Sequence, residues 1–290
     1  MAHVDEEIAS QPECWQRALE LSPRHLPEPD ERIAVIGCGT SFYIAQAYAA
    51  LRESLGLGET DAYPASEFPA ARRYDRVVAL SRSGTTTEVL DALARTRAAE
   101  TVAITADPRT PIGAAARHLV ALEFADERSV VQTRFATTAL ALLRAHLGGA
   151  PADLPDQARA ALDAPLPDAG LEARQFTFLG TGWSCGVANE AALKVREASG
   201  SWTEAYPAME YRHGPISVSG PDGLVWFLGE PPVGLVRQAE ATGAAVSVPR
   251  LDPLAELIRV QRLAVGLAVR RGLDPDRPRH LTRSIVLDRP

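Results

Sequence analysis

The chain reads Thr60-Asp-Ala-Tyr-Pro-Ala-Ser-Glu-Phe68, and 143 residues further on it reads Thr203-Glu-Ala-Tyr-Pro-Ala-Met-Glu-Tyr211. Six of the nine positions are identical, and two more are the conservative exchanges Asp/Glu and Phe/Tyr. The same offset aligns Gly37-Cys-Gly-Thr-Ser41 with Gly180-Thr-Gly-Trp-Ser184. Because chance similarity rarely gives two matches at one offset, the sequence predicts an internal duplication.

Each copy reads as a short apolar strand, a glycine turn and an alanine-rich helix. The first strand and helix are predicted at 33–36 and 42–55, and their counterparts at 176–179 and 187–198. The alternation continues with predicted strands at 77–80, 102–105, 224–228 and 245–248, and predicted helices at 86–99, 130–147 and 254–271. Short strands that alternate with long helices favour parallel sheets covered by helices on both faces, a three-layer α/β/α architecture.

The length of 290 residues allows two domains of ordinary size, each with its own core. We expect a helical or irregular segment at 1–30, a first domain at 31–150 and a second domain at 171–290. Between the domains, residues 151–170 are rich in Pro, Ala and Gly and are predicted to form a linker.

Composition excludes several classes of function. The chain is 46% hydrophobic and carries a net charge of −7, so capture of nucleic acid or an anionic membrane is not expected. No apolar run approaches the roughly 18 residues that a membrane span needs, and residues 1–12 lack the pattern of a signal peptide. The three cysteines are too few and too scattered for a disulfide framework or a zinc site. We therefore expect a cytoplasmic protein.

Hydroxyl side chains are concentrated after the predicted strand at 77–80. Residues 81–88 read Ser-Arg-Ser-Gly-Thr-Thr-Thr-Glu, and five of the first seven carry hydroxyl groups. A strand that ends in hydroxyls and a glycine and then opens a helix makes a cradle for an anion, and Arg82 could add positive charge. The simpler alternative is that these residues cap the helix, although one capping residue would suffice. The second copy has Leu-Gly-Glu-Pro-Pro at 228–232 instead.

The second copy carries acid–base groups that the first one lacks. Glu190, Lys194 and Glu197 fall on one helix face, where the first copy has apolar or small residues (Ala47, Leu51 and Ser54). Such a ladder is often only a solvated face. This helix, however, starts after a strand, where open α/β sheets bind ligands. His213, in place of Ala70, follows in a loop, although a lone histidine is more often structural.

Two other interpretations compete. Gly182-Trp-Ser-Cys-Gly186 fits the nucleophile elbow of α/β-hydrolases, with Ser184, an Asp and His280 as a conceivable triad. The first copy has Ser41 at the equivalent place without the final glycine, so the motif looks like a variant of a shared turn. The dinucleotide fingerprint fails because Phe42 and Cys185 stand where a Gly or Ala is needed.

Motifs over residues 33–287 give the chain a resemblance to a known family. They are Cys38-Gly-Thr-Ser41, Ser81-Arg-Ser-Gly-Thr-Thr86, Glu190-Ala-Ala-Leu-Lys-Val-Arg-Glu197, Glu204-Ala-Tyr206, Glu210-Tyr-Arg-His-Gly-Pro215 and the tail Pro278-Arg-His-Leu-Thr-Arg-Ser284. Their order resembles that of the SIS (sugar isomerase) proteins, most closely the isomerase half of glucosamine-6-phosphate synthase. The resemblance implies two tandem SIS-type domains.

The resemblance also implies a phosphorylated sugar as ligand. Ser81, Ser83 and Thr86 would hold its phosphate, and Thr40 and Ser41 would line the same pocket. Three further residues, Arg82, Glu190 and Arg283, would belong to the substrate-binding set.

The catalytic roles that the resemblance implies fall on three residues. Glu197 would move a proton between C1 and C2, and Lys194 would act on the neighbouring oxygen or proton. His213 would open the sugar ring and reach into the site of a partner subunit, which implies a homodimer. Aldose–ketose interconversion needs a ring opener, a carboxylate over C1–C2 and a group that stabilises the enediolate. It needs no metal or organic cofactor, and we expect none.

The chain departs from the synthase pattern at several positions. Ala2 stands where the synthase has the cysteine of its glutaminase half, so we expect no glutaminase activity. Arg283 replaces a lysine suited to forming an imine, and an arginine cannot form one under ordinary conditions. Arg82 replaces a glutamine and Thr85 a glutamate. These changes favour stand-alone relatives: isomerases, aminosugar-phosphate deaminases, or deglycases of ketosamine phosphates.

Two hypotheses follow. The first is a phosphosugar isomerase acting on a hexose or aminosugar 6-phosphate, with or without release of ammonia or an amine. The second is a non-catalytic phosphosugar sensor. The presence of Glu197, Lys194 and His213 favours the first, because a sensor needs an anion cradle but no base.

Overall fold

A computed structural model describes residues 2–287. Within them lie nine strands: β1 (Ile33–Gly37), β2 (Thr60–Pro64), β3 (Arg76–Leu80), β4 (Glu100–Thr105), β5 (His118–Ala121), β6 (Gln175–Gly180), β7 (Trp202–Pro207), β8 (Gly223–Leu228) and β9 (Ala245–Ser247). The α-helices of the same range are α1 (His3–Ala9), α2 (Gln11–Glu20), α3 (Thr40–Ser54), α4 (Thr87–Arg95), α5 (Ile112–Ala115), α6 (Arg134–His146), α7 (Leu154–Asp163), α8 (Ser184–Ser199), α9 (Leu235–Glu240) and α10 (Pro253–Arg270).

The first sheet has five strands in the order β2-β1-β3-β4-β5, and every pairing is parallel. β1 and β3 are buried along their whole length. A strand buried on both faces reads as a continuous apolar run rather than an alternating one, and this is why 33–36 and 77–80 stand out in the sequence. The edge strand β5 is shorter and only its Val120 is buried.

The second sheet has four strands in the order β7-β6-β8-β9, again all parallel. Its central strand β8 is buried at every position and includes Trp226 and Phe227. Within the described residues, the second sheet has no counterpart of β5. β9 is therefore an edge strand.

The chain divides into two compact units, and neither is a continuous stretch. One contains the second sheet and includes the N-terminal residues to Pro12, residues 128–133 and residues 151–281. The other contains the first sheet and includes residues 13–127, residues 134–150 and the tail from Thr282 onward.

Contacts between segments that are distant in sequence explain this division. In the unit of the second sheet, the Asp276 carboxylate accepts hydrogen bonds from the backbone N–H groups of His3 and Val4, both at 2.8 Å, and so caps α1. In the unit of the first sheet, the indole of Trp15 in α2 donates to Thr137 in α6 at 3.0 Å.

The prediction of two tandem SIS-type domains is wrong. A tandem pair would consist of two successive stretches that each fold on their own, whereas both units here are assembled from separated segments. The sheets also differ in strand number. The sequence patterns predicted local strand–turn–helix units. Such patterns contain no information about which distant segments pack together. The residue boundaries assigned to the separate segments, and an origin by duplication, stay predictions.

Candidate active site

The glycine turn after β1 is set by a close backbone approach. A Cβ at Gly37 would lie 2.7 Å from the carbonyl carbon of Ser41, which no real side chain tolerates. Thr40 and Ser41 open α3 and are buried. β1 and β3 are neighbouring parallel strands, so this turn and the segment after Leu80 lie at the same edge of the first sheet.

Residues 81–86, here called the hydroxyl loop, connect β3 to α4. The Ser81 hydroxyl accepts from the Gly84 N–H at 3.1 Å, and the Ser83 hydroxyl accepts from the Thr85 N–H at 3.3 Å. Thr86 is the N-cap residue of α4 but makes no side-chain capping bond; its hydroxyl lies 3.5 Å from that of Ser83 instead. Helix capping alone therefore does not account for the hydroxyl groups of this loop.

Gly84 is required at its position for two reasons. Its φ of +63° lies in the left-handed region that favours glycine. In addition, an added Cβ would meet Thr110 Oγ1 at 2.0 Å. A larger residue at this position would force a shift of the loop or of Thr110.

A tail residue joins the hydroxyl loop. Ser284 Oγ lies 2.9 Å from Thr85 Oγ1, 3.2 Å from Ser83 Oγ and 3.4 Å from Thr86 Oγ1. The next residues continue alongside α4, since the Thr87 N–H donates to the Ile285 carbonyl at 3.1 Å. Four hydroxyls thus converge at the N-terminus of a helix, and they are only partly buried. This is an arrangement of donors that suits an anion.

The two arginines predicted to bind substrate have structural contacts. Arg82 is buried; it lies 3.9 Å from the buried Glu127 carboxylate and donates to the Arg283 carbonyl at 2.9 Å. Arg283 forms an ion pair with Asp126 at 2.6 Å and donates to the Glu127 carbonyl. Both side chains therefore hold the tail next to the hydroxyl loop.

A buried acid–base cluster lies on α8, in the unit of the second sheet. Lys194 Nζ lies 3.4 Å from Glu190 Oε1 and 2.5 Å from Glu197 Oε2. The side chains of Glu190 and Lys194 are each 1% exposed, and that of Glu197 is 20% exposed. The predicted face is therefore not a solvated one. Glu197 is the member of the cluster that a ligand can reach.

Glu197 lines a pocket of about 270 Å³. The end of α8 forms one wall, and residues 273–280 form the other. The charged and titratable residues that line it are Arg196, Glu197, Asp274, Arg277, Arg279 and His280.

The remaining predicted residues lie as follows. His213 is exposed at the end of a short 3-10 helix, Glu210–His213. Ser184 is buried, and its hydroxyl accepts from the Thr181 N–H at 2.8 Å and donates to the Thr181 carbonyl at 3.0 Å. Ser184 therefore stabilises its own turn, which supports the turn interpretation of that motif over the hydrolase one.

Residues 2–287 contain neither a candidate metal cluster nor a candidate membrane-spanning helix. No group of three or more His, Cys, Asp or Glu side chains there could hold a metal ion. No helix in that range is long and apolar enough to cross a membrane.

Comparison with protein families gives one match, between residues 28–147 and the SIS domain. This stretch is a SIS domain. It contains the first sheet and the hydroxyl loop, and the second sheet lies outside it, a second finding against two tandem SIS domains. The predicted resemblance to SIS proteins is confirmed.

Curated relatives agree with this assignment. A glutamine–fructose-6-phosphate aminotransferase (isomerizing) of Gloeobacter violaceus is 29% identical over 89% of this chain and 52% of its own length. That of Methanothermobacter thermautotrophicus is 28% identical, with the same two shares. The chain spans about half the length of the curated relatives it matches.

Solved structures resemble this chain along nearly its whole length. A glucosamine-6-phosphate deaminase of Thermotoga maritima has a TM-score of 0.82 at 25% identity, covering 99% of this chain and 100% of that one. A tagatose-6-phosphate ketose/aldose isomerase of Escherichia coli has a TM-score of 0.75 at 20% identity, covering 99% and 96%. The second likeness concerns the fold alone.

Sequence analysis assigned no role to several residues that the structure brings into these regions. Ser284 contacts the hydroxyl loop, Glu127 faces Arg82, and Arg277 and Arg279 line the pocket of Glu197. Ser284, Arg279 and His280 belong to a motif that carried the family resemblance. Their contacts depend on the return of the tail, for which the sequence has no local signal.

Proposed function

We propose that this SIS protein is a phosphosugar isomerase, an enzyme that interconverts aldose and ketose forms of a hexose or aminosugar 6-phosphate. The observation that carries the proposal is the cluster on α8, where Lys194 lies between two carboxylates and one of them, Glu197, lines a pocket. The names of the relatives support the substrate class, since they are enzymes of fructose-6-phosphate and glucosamine-6-phosphate.

The cluster fits the chemistry of proton transfer between adjacent carbons. In our proposal, Glu197 removes a proton from one carbon of the C1–C2 pair and returns it to the other. The Lys194 ammonium, 2.5 Å from Glu197, keeps that carboxylate in one position. Glu190, on the far side of Lys194, fixes the ammonium in turn. A base that is both held and exposed on one side is what a general-base mechanism needs.

The hydroxyl loop is proposed to bind the phosphate. The support comes from its own unit: convergent hydroxyls at the N-terminus of α4, where backbone N–H groups and the helix dipole favour negative charge. In this role Ser81, Ser83 and Thr86 are ligands, while Arg82 and Arg283 hold the surrounding tail. Ring opening by His213, the homodimer, the cytoplasmic location and the absence of glutaminase activity stay predictions.

The test is wash-in of deuterium at C1 and C2, followed by proton NMR in heavy water. The sugars are fructose 6-phosphate, glucosamine 6-phosphate and N-acetylglucosamine 6-phosphate. We expect exchange with at least one of them, slowed roughly 10²–10⁴-fold in the Glu197→Gln variant, the usual contribution of a general base. Release of ammonia from glucosamine 6-phosphate in the same tubes would identify a deaminase.

Glu172→Gln is the matched control, because it removes one carboxylate from an exposed ion pair with Arg270. It should exchange at the wild-type rate. Undiminished exchange in Glu197→Gln would eliminate that residue as the base. Binding of a sugar phosphate without any exchange would instead favour the sensor hypothesis.

A further inference from the structure

A second cavity, of about 640 Å³, lies beside the edge strand β9 in the unit of the second sheet. It is called the β9 cavity below. Residues 245–248 line one side of it, Glu256 and Arg259 of α10 line another, and residues 164–169 line a third. The β9 cavity has more than twice the volume of the pocket beside Glu197 and shares no lining residue with it. A ligand bound here would therefore be separate from the sugar.

The walls of the β9 cavity are mostly apolar. Eleven of its sixteen lining residues are aliphatic residues or prolines. The larger ones are Leu166, Leu224, Val246, Val248 and Leu251. Concave sites of this volume, lined by apolar side chains and a few polar groups, are typical of small-molecule binding. The walls suit the apolar part of a ligand.

The side formed by residues 164–169 is fixed to α10. Arg259 donates to the Pro165 carbonyl at 2.6 Å, and Arg262 donates to the Ala164 carbonyl at 2.6 Å. Arg259 also forms an ion pair with Glu256 at 2.8 Å, so these two lining charges neutralise each other. The cavity is therefore preformed, and neither Arg259 nor Glu256 is left to pair with a charged ligand.

Ser247 gives the cavity a buried polar group. This residue is only 8% exposed, and its hydroxyl makes no hydrogen bond with another residue among those that the structure describes. Buried hydroxyl groups in proteins are nearly always bonded. The Ser247 hydroxyl is therefore available to a ligand.

Two further lining residues carry free charges of opposite sign. Arg250 and Asp168 are both exposed, and within residues 2–287 neither forms an ion pair, with each other or with a third residue. A guanidinium without a partner presents a planar fork of donors that matches a carboxylate, and a free carboxylate accepts from an ammonium. The lining thus combines one available charge of each sign with apolar walls.

We propose that the β9 cavity binds a free α-amino acid with an apolar side chain. The walls take the side chain, Arg250 binds the carboxylate and Asp168 binds the ammonium. A purely anionic amphiphile would leave Asp168 unmatched, and a purely cationic one would leave Arg250 unmatched. Binding here is independent of the isomerase proposal, because the cavity shares no residue with the pocket of Glu197 or with the hydroxyl loop.

The experiment compares compounds that differ in one group, by calorimetry with the full chain and without any sugar. L-phenylalanine has both charges, N-acetyl-L-phenylalanine lacks the ammonium, and L-phenylalaninamide lacks the carboxylate. We expect phenylalanine to bind about tenfold more tightly than either derivative, a difference typical of one charge-assisted hydrogen bond. Glycine has both charges but no apolar body, and it should bind about tenfold more weakly or worse.

Two variants assign the charges to their partners. Arg250→Gln should weaken phenylalanine about tenfold and leave the affinity of phenylalaninamide unchanged, because that compound has no carboxylate to lose. Asp168→Asn should weaken phenylalanine by a similar factor and leave N-acetylphenylalanine unchanged. Both residues are exposed, so neither change is expected to prevent folding.

Arg237→Gln and Asp222→Asn are the matched controls, because each removes an exposed charge outside the cavity lining. Both should bind phenylalanine like the wild type. Absence of measurable phenylalanine binding, equal affinities for the three phenylalanine compounds, or wild-type affinity in Arg250→Gln and Asp168→Asn would each overturn the proposal. Because no sugar is present, none of these outcomes bears on the proton transfer proposed for Glu197.

Discussion

Helices α3 and α8 hold the same place in their sheets but bury opposite kinds of side chain. β1 and β6 each lie next to an edge strand of their sheet, β2 and β7. α3 follows β1, and α8 follows β6, in both cases through a glycine turn. α3 buries Ala47 and Leu51, whereas α8 buries Glu190 and Lys194.

The comparison separates what the fold needs from what the chemistry needs. Taking an ion pair out of water costs free energy that its mutual attraction often only offsets. Because α3 fills the same positions with apolar residues, a helix at this place does not require charges to pack. The cluster of α8 is therefore better explained by chemistry than by stability.

The largest effect is expected from removing the ammonium alone. Lys194→Met removes the ammonium from the carboxylates of Glu190 and Glu197, and breaking a buried ion pair costs about 3–5 kcal/mol. Denaturant unfolding followed by far-UV circular dichroism measures the loss. A loss below about 1 kcal/mol would show that the cluster is hydrated and would weaken the contrast with α3.

The reverse substitution sharpens the same comparison. The triple variant Glu190→Ala/Lys194→Leu/Glu197→Ser gives α8 the residues that α3 has at the three equivalent positions. Since all charges leave together, we expect the free energy of unfolding to stay within about 1 kcal/mol of wild type or to increase, while deuterium exchange is lost. Unfolding of this triple variant would mean that α8 needs its charges to pack.

The glycine turns after β1 and β6 each lie beside a cysteine, Cys38 and Cys185, whose thiol pKa values can be compared. Burial, and then the charge of Glu88, raises the pKa of the Cys38 thiol to about 11, and burial also raises that of Cys185. Compared with an ordinary thiol of pKa 9.0, a thiol of pKa about 11 has a thiolate fraction at pH 8 that is about a hundredfold smaller. Alkylation of Cys38 by iodoacetamide, followed by mass spectrometry of its peptide, should be slower by that factor.

The pH dependence of Cys38 has a defined sign. The unfolded chain ionises this thiol near pH 9 and the folded chain near pH 11, so unfolding releases a proton between them and stability falls as the pH rises through that window. Cys38→Ser should flatten this part of the stability curve. Rapid alkylation at pH 8 would show that the turn opens to solvent.

Gly84 and Gly182 have similar φ angles but differ in the space available to a side chain. Gly84 and Gly182 have φ of +63° and +59°, but a Cβ would meet Thr110 Oγ1 at 2.0 Å in the first and nothing within 4 Å in the second. We expect Gly182→Ala to cost about 1 kcal/mol through backbone strain, and Gly84→Ala about 2–3 kcal/mol because steric overlap is added. Thermal unfolding of both variants measures the difference, and equal losses would show that the contact with Thr110 does not restrict position 84.

A small effect is expected at the tail. Ser284→Ala removes a hydroxyl that contacts three others, but water can replace it at this partly buried place, so a loss of about 1 kcal/mol is expected. Ser217→Ala, at an exposed serine, is the control and should be neutral. Limited proteolysis of the tail should also quicken in Ser284→Ala alone.

Most buried strands could be predicted from sequence because their signal is local. β1, β3, β4 and β8 lie within two residues of the predicted bounds, since each is a run of apolar or β-branched residues that ends in a glycine or polar turn. β5 was missed because only one of its four residues is buried. α7 lies inside the predicted linker, where its prolines and alanines suggested a crossing segment.

Sequence analysis could group those candidate residues that lie on one helix or in one loop. Glu190, Lys194 and Glu197 are spaced so that any helix brings them together, and the hydroxyl loop is continuous in sequence. The contacts of Ser284 and the positions of Arg277 and Arg279 depend on where the tail returns, and this is set by long-range bonds such as Asp276 to α1. Periodicity contains no information about them.

The contacts of the tail have a practical consequence for handling the protein. An affinity tag fused to the C-terminus would extend from the segment whose Ser284 and Ile285 contact the hydroxyl loop and α4. A tag of this kind could compete for the loop or pull Ser284 away from it, and either would change the measured phosphate affinity. Ligand-binding experiments should therefore be repeated on protein from which such a tag has been cleaved.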